Sequence, residues 1–376
     1  MRVSLDAIPL AAPLTGVGHY TFELARHLAL HSPADEFELV SPFPFPLTSP
    51  VSEQALPPNL RAFHKKVSAL NRRWFALGLP RYLKQSGTHI FHGTNYEVPP
   101  WGGCPTVMTI HDLSLFLHPD THEERRVRRA RRRLPLMARS ASRIITPSES
   151  VRREVLEHLR LDPVKVVSIP EAPRGVFSPA SAEEALEVKR RLGIEDEFIL
   201  FVGTIEPRKN LLTLITAFEE ILRTTPHRPQ LIIAGGEGWM TEEFFSQVGK
   251  SGAAERLRFT GYLADEDLRA LYSSCGVFAY PSLYEGFGLP PLEAMACGAP
   301  VVASPIPSII EATGADAVRL VPPTDAQALA HALVEILADE KERRHLSQTG
   351  RERAGRLSWE KTARATLAVY EDVLGR

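Results

Sequence analysis

Cysteine is scarce in this chain of 376 residues: Cys104, Cys275 and Cys297 lie far apart and are odd in number. They form neither a disulfide framework nor a zinc-binding spacing, so the expected compartment is a reducing cytoplasm. No apolar run approaches the ~20 residues that a membrane-spanning helix needs. Charge of one sign is not in excess either. The 44 Lys and Arg against 45 Asp and Glu argue against a general nucleic-acid binder. The opening MRVSLDAIPLAAPLTGVG has one Arg and an apolar run broken by Asp6 and two prolines. It reads as a first core strand rather than a signal peptide. The Gly-rich AGGEGW at 234–239 lacks the Gly-x-Gly-x-x-Gly spacing of a dinucleotide fingerprint, which weakens an NAD reading. No Ser-His-Asp or Cys-His arrangement stands out.

What the chain does contain is an alternation of short β-branched runs with helical periods. Strands are expected at 2–6, 37–40, 89–92, 106–110, 143–146 and 164–169, with helices near 18–31, 123–139 and 148–159. A second set of strands is expected at 198–202, 230–234, 257–259, 277–280, 300–303 and 318–321. Its helices fall near 210–223, 241–250, 265–274, 292–297 and 325–339. This is the pattern of an α/β chain with two Rossmann-like, doubly wound parallel sheets, whose ligands bind in a cleft at the carboxyl ends of the strands. The stretch 171–182, EAPRGVFSPASA, is rich in proline and small residues and marks a boundary. The expected division is 1–175, 176–357 and a terminal amphipathic helix in 358–376 that crosses back to the first domain. Residues 42–50, PFPFPLTSP, read as a proline-rich mobile surface loop.

The densest chemistry lies in YPSLYEGFGLPPLEAMACGAP, residues 280–300. Glu285 and Glu293, with seven residues between them, flank a Gly-Phe-Gly-Leu-Pro-Pro turn between a strand and a short helix. Backbone amides and a helix N-terminus aimed out of such a loop suit a phosphate. The carboxylates, Glu285 in the loop and Glu293 in the first helical turn, suit hydroxyls. The segment therefore points to a ligand that is both phosphorylated and rich in hydroxyls. Either Glu alone would read as a helix-dipole partner or a turn residue. After strand 198–202 comes GTIEPRKN, where Gly203 ends the strand and Arg208 and Lys209 stand at a strand–helix junction. A planar fork beside a point charge fits a diphosphate; alone, the same pair is an ordinary solvated surface feature.

GTIEPRKN, LIIAGGEGW, FTGYLADEDLRALY and PSLYEGFGLPPLEAMACGAPVVAS together resemble the family-4 retaining glycosyltransferases of GT-B fold. Within that group the wording is similar to bacterial mannosyltransferases of surface-polysaccharide assembly. The likeness is continuous over 198–304 and patchier before it, through TGVGHY, HGTNYEVPP, TIHDLS and RIITPSESVRREV. It implies that Glu285 contacts the transferred sugar and Glu293 the ribose. It implies further that amides around Phe287, Gly288 and Leu289 contact the sugar or β-phosphate, and that Arg208 and Lys209 bind the diphosphate. Where some relatives carry an Arg just after Gly203, this chain has Thr204. Tyr262 and Leu263 match the stretch that borders the base. In the first half the resemblance gives Gly16 and Gly18 as the loop facing the donor diphosphate, His111 as a contact to the transferred sugar, and Ser148 as an acceptor-site residue. Read without the family, these are a turn, a structural histidine and a helix N-cap.

The expected reaction is transfer of a sugar, mannose from GDP-mannose, to a saccharide or lipid-linked saccharide with retention. Alternatives are a UDP- or dTDP-sugar donor, a nucleotide-sugar 2-epimerase, and a nucleotide- or glycan-binding scaffold without turnover. Asp265-Glu266-Asp267 imitates an Asp-x-Asp metal motif, but it opens a helix, where acids complement the dipole. It reads as structural, and neither an obligatory metal nor any other cofactor is expected. Residues 123–139 hold eight arginines with Val127, Ala130 and Leu134 at helical spacing. From Arg125 to Arg133 the run reads either as a solvated face or as a contact for the cytoplasmic membrane surface or the pyrophosphate of a lipid-linked acceptor.

Overall fold

A computed structural model describes residues 1–11, 14–46, 56–64, 74–195 and 197–376. It divides into two compact units. The first comprises residues 1–113, 128–172 and 358–376; the second comprises 114–127 and 173–357.

In the first unit seven parallel strands run β1 (Arg2–Asp6), β2 (Glu36–Ser41), β3 (Leu60–His64), β4 (Ile90–Gly93), β5 (Thr106–Thr109), β6 (Arg143–Thr146) and β7 (Val166–Ser168). Their order is β3-β2-β1-β4-β5-β6-β7, so the winding reverses between β1 and β4. The central strands are buried along most of their length because helices cover both faces of a parallel sheet. Val3, Leu5, Ile90, Val107 and Met108 are fully buried. The second unit repeats the plan with β8 (Phe198–Val202), β9 (Gln230–Ala234), β10 (Leu257–Gly261), β11 (Val277–Tyr280), β12 (Val301–Ala303) and β13 (Arg319–Leu320). Their order is β10-β9-β8-β11-β12-β13, and the reversal falls between β8 and β11. Ligands of open parallel sheets bind outside the carboxyl ends of the strands at such reversals. GTIEPRKN leaves β8 and PSLYEGFG leaves β11, so the two sequence-marked segments meet at this point.

Several boundaries differ from expectation. Residues 114–127 join the second unit, not the first, because Trp239 Nε1 donates to the Thr121 carbonyl at 2.8 Å and the His122 ring stacks on Trp239. The boundary at 171–182 hides a helix, Ala182–Leu192, announced by Ser181 and Glu184 as a reciprocal capping box. The helix expected at 292–297 begins earlier and spans Leu289–Ala296. Helix Glu340–Ala354 and strand β3 were not foreseen. The terminal helix, Trp359–Leu374, is capped by Ser358 and sits in the first unit beside helix Gly16–His31. Thr362 Oγ1 donates to the Pro170 carbonyl there at 2.7 Å. Part of the proline-rich loop, residues 47–50, lies outside the described residues.

Candidate active site

In the second unit the path of GTIEPRKN is set by two backbone choices. Pro207 opens a short 3-10 turn, Pro207–Lys209, and Asn210 ends it in the left-handed region at φ 56°. Asn is one of the few non-glycine residues that tolerate that conformation. Its Nδ2 donates to the carbonyls of Pro281 and Pro323 at 3.0 and 2.6 Å, which ties the turn to the loop after β11. The Leu283 amide donates to the Arg208 carbonyl at 2.8 Å and fastens the same two segments again. The sheet reversal is thereby closed by hydrogen bonds before any ligand enters.

The side chains then converge. Lys209 Nζ, almost buried, lies 2.5 Å from Glu285 Oε1 and donates to the Tyr280 hydroxyl at 3.0 Å. Arg208 Nη1 donates to Glu285 Oε2 at 3.1 Å and to the Tyr284 carbonyl at 3.0 Å, while Nη2 meets Glu206 Oε1 at 2.7 Å. Burial pushes the Glu285 carboxyl up, but Lys209 and then Arg208 outweigh it and hold the group at about 2. Glu285 is thus a buried, permanently ionised acceptor. Glu206 and Glu285 also balance the two cations, so the cluster is not the bare positive site that Arg-Lys suggested. It is a lattice in which two cations are matched by two carboxylates. Ser308 Oγ donates to the Glu285 carbonyl at 2.5 Å and fixes the loop from below.

Beyond Glu285, Gly288 takes φ 112°, a conformation open to glycine but strained for other residues. Helix Leu289–Ala296 follows, with Pro290 and Pro291 in its first turn. Proline has no N–H, so this N-terminus offers fewer donors than expected. The amides of Phe287, Gly288 and Leu289 make no intramolecular hydrogen bond among the described residues. Glu293 falls in the second turn of this helix, not the first. It is buried, and Arg174 Nε donates to its Oε1 at 2.8 Å. Arg174 Nη1 also reaches both oxygens of Asp265 at 2.7 Å. The structure therefore brings Arg208, Lys209 and Glu285 into direct contact and places Glu293 in a second charged cluster of the same unit. Tyr262 is exposed and Leu263 half-buried just after β10. Gly203 follows β8 at φ 155°, and a Cβ on it would meet the Phe201 ring at 3.2 Å.

The first unit holds the remaining residues. His111 follows β5; its Nε2 lies 2.8 Å from the Thr94 carbonyl and its Nδ1 3.3 Å from Glu171 Oε1, with the Tyr20 ring edge-on at 4.7 Å. Gly16 opens helix Gly16–His31 with nothing near its missing Cβ. Gly18 differs: its free space is filled by Leu14 and the Pro9 carbonyl, so the absence of a side chain there serves chain packing. Ser148 is the N-cap of helix Glu149–Leu159 and its Oγ accepts the Val151 amide at 3.2 Å. Sequence reasoning missed Arg174 and Glu171, two charged residues inside a stretch that reads as linker. Burial of both, at 5% and 4% exposure, separates them from ordinary linker charges.

Family models match both halves of the chain. Residues 14–172 match the model described as Glycosyltransferase Family 4, and residues 183–353 match Glycosyl transferases group 1. O-antigen chain mannosyltransferase B of Escherichia coli is 32% identical over 381 residues, covering 99% of this chain and 100% of that protein. The chain belongs to the family-4 glycosyltransferases. Its GT-B fold is shared with sucrose-phosphate synthase from Thermosynechococcus elongatus, at TM-score 0.78 and 22% identity over 100% of this chain and 99% of that one. It is shared too with Anabaena HepE, solved with UDP and glucose, at TM-score 0.75 and 18% identity over 99% and 100% of the two chains. In this glycosyltransferase, the segment that aligns its two domain models leaves 173–182 between them, the stretch that carries Arg174.

Proposed function

We propose that this glycosyltransferase moves mannose from GDP-mannose to a saccharide or lipid-linked saccharide acceptor, with retention, in bacterial surface-polysaccharide synthesis. The observation that carries the reading is the whole-length likeness to O-antigen chain mannosyltransferase B, joined to the Arg208–Lys209–Glu285 lattice at the sheet reversal. Lys209 and Arg208 shift from Glu285 toward the diphosphate, helped by the amides of Phe287, Gly288 and Leu289. Positive groups preorganised at the leaving diphosphate stabilise the charge that develops there. Glu285 accepts from a sugar hydroxyl and Glu293 from the ribose. The C1–O bond to the diphosphate breaks as the C1–O bond to the acceptor forms on the same face. The acceptor proton passes to a departing phosphate oxygen. No metal or other cofactor is required in this scheme. His111, Gly16 and Gly18 keep the donor contacts, and Ser148 the acceptor contact, that the family likeness implies.

A thermal-shift panel of GDP-, UDP- and dTDP-sugars tests the donor, because a ligand that binds the folded state raises apparent stability. Stabilisation by GDP-mannose, followed by an α-linked product in NMR, supports the proposal. Stabilisation by a UDP-sugar alone replaces the donor, an epimerised nucleotide sugar replaces the reaction, and binding without donor hydrolysis or transfer leaves a scaffold.

We further propose a cytoplasmic enzyme that touches the membrane peripherally through helix Glu124–Ser140. Among the described residues no helix is long and apolar enough to cross a membrane. Val127, Leu134, Met137 and Ala138 are buried, while Arg128, Arg129, Arg132 and Arg133 line a hollow of about 480 Å³ and Leu136 is exposed. Flotation with anionic vesicles should capture the wild type and not a variant with these four arginines changed to Gln. Equal capture of both would remove this contact.

A further inference from the structure

Arg174 is the second residue of the second unit after the chain leaves the first at Ala172. Its guanidinium is buried and lies 4.6 Å from the centroid of the Phe177 ring. One edge donates from Nε to Glu293 at 2.8 Å, and Nη1 donates to both oxygens of Asp265 at 2.7 Å. Asp265 is the first residue of helix Asp265–Ser274, and Glu293 lies in helix Leu289–Ala296. One planar group therefore joins two helices and the incoming chain. Burial alone would lower the Arg174 pKa, yet Glu293 and Asp265 raise it above the ordinary guanidinium value.

We propose that Arg174 is a positioning residue for nucleotide recognition: it fixes the angle of the Glu293 carboxylate, with Asp265 holding Arg174 in turn. This rests on the donor reading above. A charge-assisted hydrogen bond is short and directional, so the bond from Arg174 Nε to Glu293 Oε1 fixes the direction in which the remaining lone pairs face two vicinal hydroxyls. Lysine is a poor replacement, because its ammonium is a compact point charge without the rigid planar fork that sets Nε and Nη1 against two carboxylates. Asp265 acquires a second task besides complementing its helix dipole.

The test is a double-mutant cycle in the full chain, with GDP as the probe and GDP-mannose for kinetics. Arg174→Lys keeps the positive charge, and its melting temperature checks that it folds. It should weaken GDP binding ~10-fold and raise KM for the donor while kcat changes little, a coupling typical of groups in direct contact. Glu293→Gln should weaken binding comparably, and the double variant should be no worse than Glu293→Gln alone. Asp265→Asn is a second route that leaves Arg174 in place; it should weaken GDP binding ~3-fold and be silent in a Glu293→Gln background. Additive effects in both backgrounds, or a fall in kcat at constant KM, overturn the inference while the donor reading stands. Wild type that binds GDP, UDP and dTDP not at all overturns the donor reading and this inference with it.

Discussion

The two units share a doubly wound topology but carry interior polar networks of different chemistry. In the first, the interior network is built from hydroxyls and imidazole. Tyr20 bonds Thr109 at 2.9 Å, Thr109 bonds His92 Nε2 at 2.8 Å, and His92 Nδ1 bonds the Tyr370 hydroxyl at 2.6 Å. In the second, Lys209, Arg208, Glu206 and Glu285 form one charged lattice and Arg174, Asp265 and Glu293 another. Neutral networks tolerate the loss of one member at the cost of one hydrogen bond. Charged lattices do not, since removing one partner strands a buried charge. The difference makes the second unit the more fragile under substitution and the first the more responsive to protons near neutrality.

The largest effect should come from breaking the charged lattice. Lys209→Ala removes the closest partner of Glu285 and a cation assigned to the diphosphate. Transfer should fall ~10²–10³-fold, the range seen when a preorganised charge-stabilising donor is removed. Stability of the second unit should drop by ~3–5 kcal/mol, the usual consequence of halving a buried ion pair. A variant within twofold of wild-type transfer would separate Lys209 from the chemistry altogether.

Proton response sharpens the contrast next. Burial first, then His111, lowers His92 to about 3. Below the ordinary histidine value near 6.5 the unfolded chain takes a proton that the folded unit refuses, so this residue costs stability as pH falls from 6.5 toward 3. Asp6 acts the other way. Burial, opposed by the Ile8 amide and reinforced by Glu97, raises it to about 7. Between pH 7 and the ordinary value of 3.8 the folded unit holds a proton that the unfolded chain lacks, so acid favours folding. Asp6→Asn should therefore melt higher than wild type at pH 8 and shed that advantage progressively as pH falls from 7 toward 3.8. A melting difference that does not change with pH would refute the assignment. Glu285, held at about 2, contributes stability above pH 4.5 that is lost as pH falls from there toward 2. Glu285 should accordingly add no proton sensitivity to its unit until pH falls to about 4.5.

The smallest effect is expected in the neutral network. Tyr370→Phe deletes the hydroxyl that meets His92 and should cost about 1–2 kcal/mol of stability, read from the urea midpoint, with transfer little changed. A loss as large as that of Lys209→Ala would erase the distinction between the two units.

Much of this was legible in the residues because period and punctuation agree. Strands β8, β9 and β11 are short apolar runs ended by Gly or Pro, and the PRKN and EGFG segments carry their chemistry in adjacent letters. Helix Glu340–Ala354 was not legible because its apolar face is reduced to Leu346, Gly350 and Ala354 among charged neighbours. Helix Ala182–Leu192 was missed although its Ser-x-x-Glu cap stood in the open, since small residues and prolines before it read as linker. The position of Glu293 was misjudged by one turn because Pro290 and Pro291 start the helix earlier than a lone N1 proline would. Arg174 needed the structure: nothing local in EAPRGVF distinguishes a buried guanidinium from a solvated one. Its partners Asp265 and Glu293 are 91 and 119 residues away.

The terminal helix brings Tyr370 to His92 across 278 residues of chain. Domains usually mature in the order in which the ribosome emits them. Here that order is inverted, because residues 114–127 and 173–357, which make up the second unit, are all synthesised before the earlier unit receives its last wall. A chain truncated after residue 357 would hold every residue of the second unit but would lack the helix that brings Tyr370 to His92 and Trp359 to Tyr20. Nascent-chain proteolysis should find the amino-terminal half cleavable until that final helix is released.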